Sequence, residues 1–181
     1  GGFVISEDGW TTYQNSTNSY YAKWAGAYPP STYEQQTRYI VRSYVMAYQM
    51  GCKTMIQFTF TDRGKREYTE DNFGIVHQDF TPKPAVGAIA ALARAVGQCL
   101  PQGDLSPVPD KARMYLFKDK ESSRETVLAW WINGEGTVDL PLGMNMKTVS
   151  AKDMFGNPIP APVHNGNPIR LVDRRLHIAV A

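Results

Sequence analysis

The hydrophobic period of this chain changes once, near residue 105, and that change limits what it can fold into. Upstream, the apolar residues fall in the order strand, helix, strand, helix. "GFVISE" (2–7) is a short apolar run suited to a strand buried on both faces. "YEQQTRYIVRSYVMAYQM" (33–50) places Ile40, Tyr44, Met46, Ala47 and Tyr48 near helical spacing. Thr32 and Gln35 offer it a capping box, and Gly51 a left-handed stop. "KTMIQFTFTD" (53–62) reads as a second strand. "TPKPAVGAIAALARAVG" (81–97) reads as a second helix, with Pro84 in its first turn and Ala85, Ile89, Leu92 and Val96 on one face. Such alternation implies a parallel sheet with right-handed crossovers.

Beyond the Pro- and Gly-rich stretch "LPQGDLSPVPD" (100–110), read as a linker, the period becomes two. Short strands are predicted at "ARMYLFK", "TVLAWWIN", "TVDLPL", "KTVSAKDMF", "IRLV" and "LHIAVA". Asn133-Gly134, Gly156-Asn157 and Asn165-Gly166 supply turns between them. The pattern is that of a small antiparallel β-sandwich or barrel. Trp130 and Trp131 face opposite ways on one strand, which assigns one to the core and the other to an interface. Two domains are therefore expected, 1–104 and 105–181.

Composition removes several classes. A formal net charge of +2 gives no strong field for nucleic acid or an anionic membrane. No segment is apolar for long enough to span a bilayer. Cys52 and Cys99 cannot form a disulfide scaffold or a zinc site, and His77, His164 and His177 are too far apart in sequence for a metal motif. The upstream half is also incomplete as a fold. Two βα units leave a parallel sheet with unpaired edges, so further strands are expected before Gly1, from the same polypeptide or another.

"EDGW" (7–10) admits two readings. Asp8-Gly9 suits a type I′ hairpin turn, and Glu7 suits a catalytic carboxylate at a strand end. A hairpin needs a strand to pair back onto "FVIS". The chain instead enters a long polar loop carrying Trp10, Tyr13, Tyr20, Tyr21, Trp24 and Tyr28.

"VISEDGW", "QTRYIVRSYVMAYQMGCKTMIQFTFTDRG" and "EDNFGIVHQDFTPKPAVGAIAAL", in that order, resemble the last two βα units of clan A glycoside hydrolases. These are (β/α)8 barrels that include the family 5 and family 39 enzymes. "VSAKDMFGNPI" and "LVDRRLHIAVA" resemble the β-sandwich often appended to such barrels. The resemblance implies an α/β fold: strands 7 and 8 of an incomplete TIM barrel with their helices, then the sandwich. It implies a retaining glycosidase acting on an oligo- or polysaccharide or glycoside, with Glu7 as nucleophile. A second carboxyl group, about 5–5.5 Å away, would protonate the leaving oxygen. In the family that residue follows an Asn on an earlier strand. Glu34, Glu67, Glu70, Glu121, Glu125 and Glu135 do not match it, so this chain alone is expected to be inactive.

The same resemblance makes Asp62, at the end of strand 8, a site-lining or structural residue, and puts Phe58 or Phe60 where relatives carry an aromatic platform. The usual Trp is not evident there. Trp10 and Tyr13 follow Glu7 and are candidates for sugar contact, Tyr13 also as a hydrogen-bond donor to Glu7. Arg63, Lys65 and Arg66 read as a solvated basic loop. No cofactor or metal is implied, since two carboxylates suffice. A secreted or periplasmic location follows by analogy with polysaccharide degradation. The alternatives are a carbohydrate-binding protein without turnover and a structural remnant of such an enzyme.

Overall fold

The computed structural model describes residues 2–13, 29–106, 110–132, 139–140, 150–159, 169–170 and 177–180. The chain divides into two compact units, Gly1–Ile89 and Ala90–Ala181.

In the first unit β1 (Phe3–Asp8) pairs in parallel with β2 (Cys52–Gln57), and helix α1 (Tyr33–Gln49) lies between them in sequence. The register is irregular twice. Phe3–Val4 faces Cys52–Thr54, and Ile5–Asp8 faces Met55–Gln57, so β1 carries one extra residue in the second step. That is the signature of a β-bulge. The expectation of a strand buried on both faces does not hold within these residues. Phe3, Val4 and Ile56 are 40%, 60% and 51% exposed, because a two-stranded sheet has no neighbour to cover them.

Helix α1 starts as its sequence requires. Thr32 Oγ1 accepts from the Gln35 amide at 3.1 Å, and Gln35 Oε1 accepts from the Thr32 amide at 2.8 Å. It stops at Gly51, where φ is 83°. Its buried stripe is Gln36, Thr37, Ile40, Val41, Val45 and Ala47. Val41 and Val45 are fully buried in place of the expected Tyr44 and Met46: Tyr44 is only partly buried and Met46 is exposed at this helical phase. A 3₁₀ turn (Thr69–Asn72) and helix α2 (Pro84–Val96) follow, the helix burying Ala85, Ala88, Ala91, Leu92 and Val96.

The second unit holds a six-stranded sheet in the order β3-β4-β5-β10-β7-β8, every pairing antiparallel. Its strands are β3 (Cys99–Asp104), β4 (Ala112–Asp119), β5 (Glu125–Trp131), β7 (Ser150–Lys152), β8 (Pro158–Ile159) and β10 (His177–Val180). A separate pair joins β6 (Asp139–Leu140) to β9 (Ile169–Arg170). Strand β3 occupies part of the expected linker. It is an edge strand, where Pro101 sacrifices no ladder bond, and Gly103 (φ 145°) takes up the shift in register. One sheet face buries Ala112, Met114, Val127, Ala129 and Trp131, with Leu105 and Leu116 packed against them. Trp130 is also buried and stacks on Tyr115 at 5.5 Å, so neither tryptophan is surface-exposed. Gly156 turns the chain with φ 86°; Asn133-Gly134 and Asn165-Gly166 lie outside the described residues.

The whole is a mixed α/β chain with small sheets and, among the described residues, two α-helices. No helix among them is long and apolar enough to cross a membrane.

Candidate active site

The C-terminal end of β1 is fastened on one side and open on the other. The Asp8 carbonyl accepts from the Phe58 amide at 2.8 Å, and Asp8 Oδ2 accepts from Ser43 Oγ on α1 at 2.9 Å. Burial raises the Asp8 pKa above the ordinary carboxylate value, and the Ser43 bond opposes that rise. Burial first, then the Asp8 charge, raises the Tyr44 phenol in turn. Glu7, one residue earlier, is exposed.

Gly9 is needed for contact rather than for a turn. A Cβ there would lie 2.0 Å from the Phe58 carbonyl oxygen. Among the described residues the left-handed glycines are Gly51, Gly64, Gly103 and Gly156, so Asp8-Gly9 does not form the type I′ hairpin. The strand that pairs with β1 is the parallel β2.

Downstream, the Trp10 ring packs on Tyr39 of α1 with centroids 5.5 Å apart and planes at 42°. Its carbonyl accepts from Gln36 Nε2 at 2.8 Å, and the same amide nitrogen reaches the Gly74 carbonyl at 3.1 Å. Thr11 Oγ1 donates to the Thr69 carbonyl, and the Thr12 amide to that of Asn72. Tyr13 is buried, and its hydroxyl has no hydrogen-bond partner among the described residues, Glu7 included. Trp24 and Tyr28 lie outside the described residues.

Asp62 is held from three directions. Its Oδ1 accepts from Lys83 Nζ at 2.7 Å and from the Gly74 amide at 2.9 Å, while His77 Nδ1 is 3.6 Å from Oδ2. Lys83 Nζ also donates to Thr12 Oγ1 at 2.9 Å. A Cβ on Gly74 would come within 2.2 Å of the Asp62 nitrogen, so only glycine fits this approach. Burial lowers the Lys83 pKa, and the bond and charge of Asp62 oppose that shift. Sequence reading missed Lys83. Its one textual sign is a lone cation between Pro82 and Pro84, which does not signal burial.

Phe58 is half-buried with its ring edge-on to Phe73 at 5.4 Å, whereas Phe60 is 63% exposed. Arg63, Lys65 and Arg66 are exposed in a loop that Asp71 and Asn72 close through bonds to the Lys65 amide and to the Lys65 and Arg66 carbonyls. Cys52 and Cys99 are both thiols. Among the described residues no three His, Cys, Asp or Glu side chains are grouped to hold a metal ion.

The fold is related to that of part of a glycoside hydrolase. The chain is similar to the structure of a family 39 glycoside hydrolase from the gut symbiont Bacteroides cellulosilyticus WH2. The TM-score is 0.75 at 20% sequence identity, over 99% of this chain and 34% of that one. The likeness is one of fold, and the chain spans about a third of that protein's length. No family model matches the chain, and no curated protein matches it.

Proposed function

We propose that this chain is the C-terminal part of a retaining glycoside hydrolase, with Glu7 as nucleophile. In this reading residues 1–104 hold the last two βα units of a (β/α)8 barrel, with β3 at their end pairing onto the appended β-sandwich of residues 105–181, and the earlier strands come from an upstream segment. The observation that carries it is the end of β1: a bulged parallel strand, tied to α1 through Asp8 and Ser43, that leaves Glu7 exposed. Carboxylates at the C-terminal ends of parallel barrel strands face the site where barrel enzymes act.

The reaction needs two steps. A Glu7 carboxylate oxygen attacks the anomeric carbon while the glycosidic oxygen leaves with a proton from the upstream acid. Water then attacks the glycosyl-enzyme ester, gives its proton to that same residue, and releases Glu7. In this reading Trp10 and Phe58 offer apolar surfaces to a sugar ring, and Tyr13 and Asp62 complete the substrate site. The substrate class is an oligo- or polysaccharide or glycoside, and export to the periplasm or cell exterior accompanies that role.

The test is Glu7→Gln in the native polypeptide. Turnover of aryl glycosides should fall by orders of magnitude with sugar binding retained, and a 2-deoxy-2-fluoro glycoside should label the unsubstituted protein on the peptide containing Glu7. Unchanged hydrolysis would remove Glu7 from the role. Binding without any turnover in the native polypeptide would favour a carbohydrate-binding protein.

A further inference from the structure

We propose that Asp8 is a positioning residue for Glu7: its bond to Ser43 anchors the bulged end of β1 to α1 and thereby sets where Glu7 projects. The inference rests on the assignment of Glu7 as nucleophile. Its basis is a break in strand alternation. In a regular strand Ile5 and Glu7 share a face, and Asp8 lies on the other. Here the extra residue between Ile5 and Asp8 interrupts that count, and Ile5 and Asp8 become the two less exposed positions of β1. A bulge re-aims side chains, but a bulge at an uncovered sheet end is free to slip. Three contacts stop it. Ser43 Oγ holds the Asp8 carboxylate at 2.9 Å, the Phe58 amide holds the Asp8 carbonyl at 2.8 Å, and Gly9 abuts the Phe58 carbonyl.

Ser43 is itself fixed. Its hydroxyl lies 3.0 Å from the Ile40 carbonyl on the buried turn of α1, so the anchor is tied to helix packing. Of the three contacts, only the Asp8–Ser43 bond joins the sheet to the helix layer through side chains. A nucleophile displaced by about 1 Å loses on the order of 100-fold in rate. Loss of the anchor should therefore appear in kcat and leave KM nearly unchanged, because sugar contacts elsewhere are untouched.

The experiment compares Asp8→Ala, Asp8→Asn, Ser43→Ala, the Asp8→Ala/Ser43→Ala pair and Glu7→Gln in the native polypeptide. Each is assayed for kcat and KM on aryl glycosides, and for its labelling rate by a panel of 2-deoxy-2-fluoro glycosyl fluorides. Asp8→Ala should lower kcat and the labelling rate by roughly 10–100-fold at similar KM. Asp8→Asn keeps an acceptor for Ser43 and should restore most of the rate. Ser43→Ala should act in the same direction, and the double variant should be no worse than Asp8→Ala. Should Asp8→Ala fail to fold, Ser43→Ala and Asp8→Asn decide the matter alone.

If Glu7→Gln abolishes turnover while Ser43→Ala and Asp8→Ala leave kcat unchanged, the positioning role is wrong and the nucleophile stands. Equal losses in Asp8→Asn and Asp8→Ala also overturn it, since they would place the effect in the charge and not in the bond. If Glu7→Gln leaves turnover intact, or the native polypeptide neither hydrolyses nor labels, both readings fall.

Discussion

Lys83 donates from Nζ to Asp62 Oδ1 at 2.7 Å while its own side chain is wholly buried. The same ammonium reaches Thr12, so one cation ties the segment after β1, the segment after β2 and the start of α2. Removing one partner of a buried pair leaves the other uncompensated. Lys83→Met should cost about 3 kcal/mol, the low end for such pairs, because Asp62 keeps the Gly74 amide and is 12% exposed. Urea unfolding measures this. Adding Asp62→Asn should recover part of the loss.

Asp8 yields a pH dependence of definite sign. Its folded pKa is raised, so the folded chain holds that proton more tightly than the unfolded one. The associated stability is complete below the unfolded value of about 3.9 and is lost as pH rises through the raised folded value. Asp8→Asn removes this titration. Its stability relative to the parent should climb with pH across that window and level off above it, in unfolding curves taken from pH 3 to 7.

Gly9→Ala should push the ends of β1 and β2 apart. The added methyl would sit 2.0 Å from the Phe58 carbonyl oxygen, and a backbone group cannot step aside as a side chain can. A cost of about 1–3 kcal/mol is expected, with a lowered Tm in thermal unfolding.

Met114 is fully buried in the sheet core of the second unit against Ala112, Val127, Ala129 and Trp131. Met114→Ala should lose about 2–5 kcal/mol through lost burial and a residual cavity. Calorimetry should register that loss.

What could be read from the sequence was local. The Thr32–Gln35 box, the stop at Gly51 and Pro84 in the first turn of α2 each depend on atoms within a few residues, and each stands as expected. What could not be read depends on partners far along the chain. Strand β3 exists because β4 pairs with it, so its Pro and Gly read as a linker. The Val41–Val45 stripe required knowing which side of α1 is covered. At the site, Glu7 at the end of a strand was legible, while the Asp8–Ser43 bond and the burial of Lys83 were not. Those contacts span 35, 21 and 71 positions of sequence, beyond any local pattern.

The pairing of β1 with β2 has a kinetic consequence. Phe3 and Cys52 pair across 49 positions of sequence with α1 between them, whereas β4 and β5 are joined by a short turn that Asp119 closes through the Glu121 and Ser122 amides. Closing the longer loop costs more chain entropy before any ladder bond compensates it, and non-local pairings form more slowly. The hairpin is thus the early event and the parallel pair the late one. In pulse-labelled hydrogen exchange, the amides of β4 and β5 should be protected before those of β1 and β2, so the strand end bearing Glu7 should be among the later elements to gain protection.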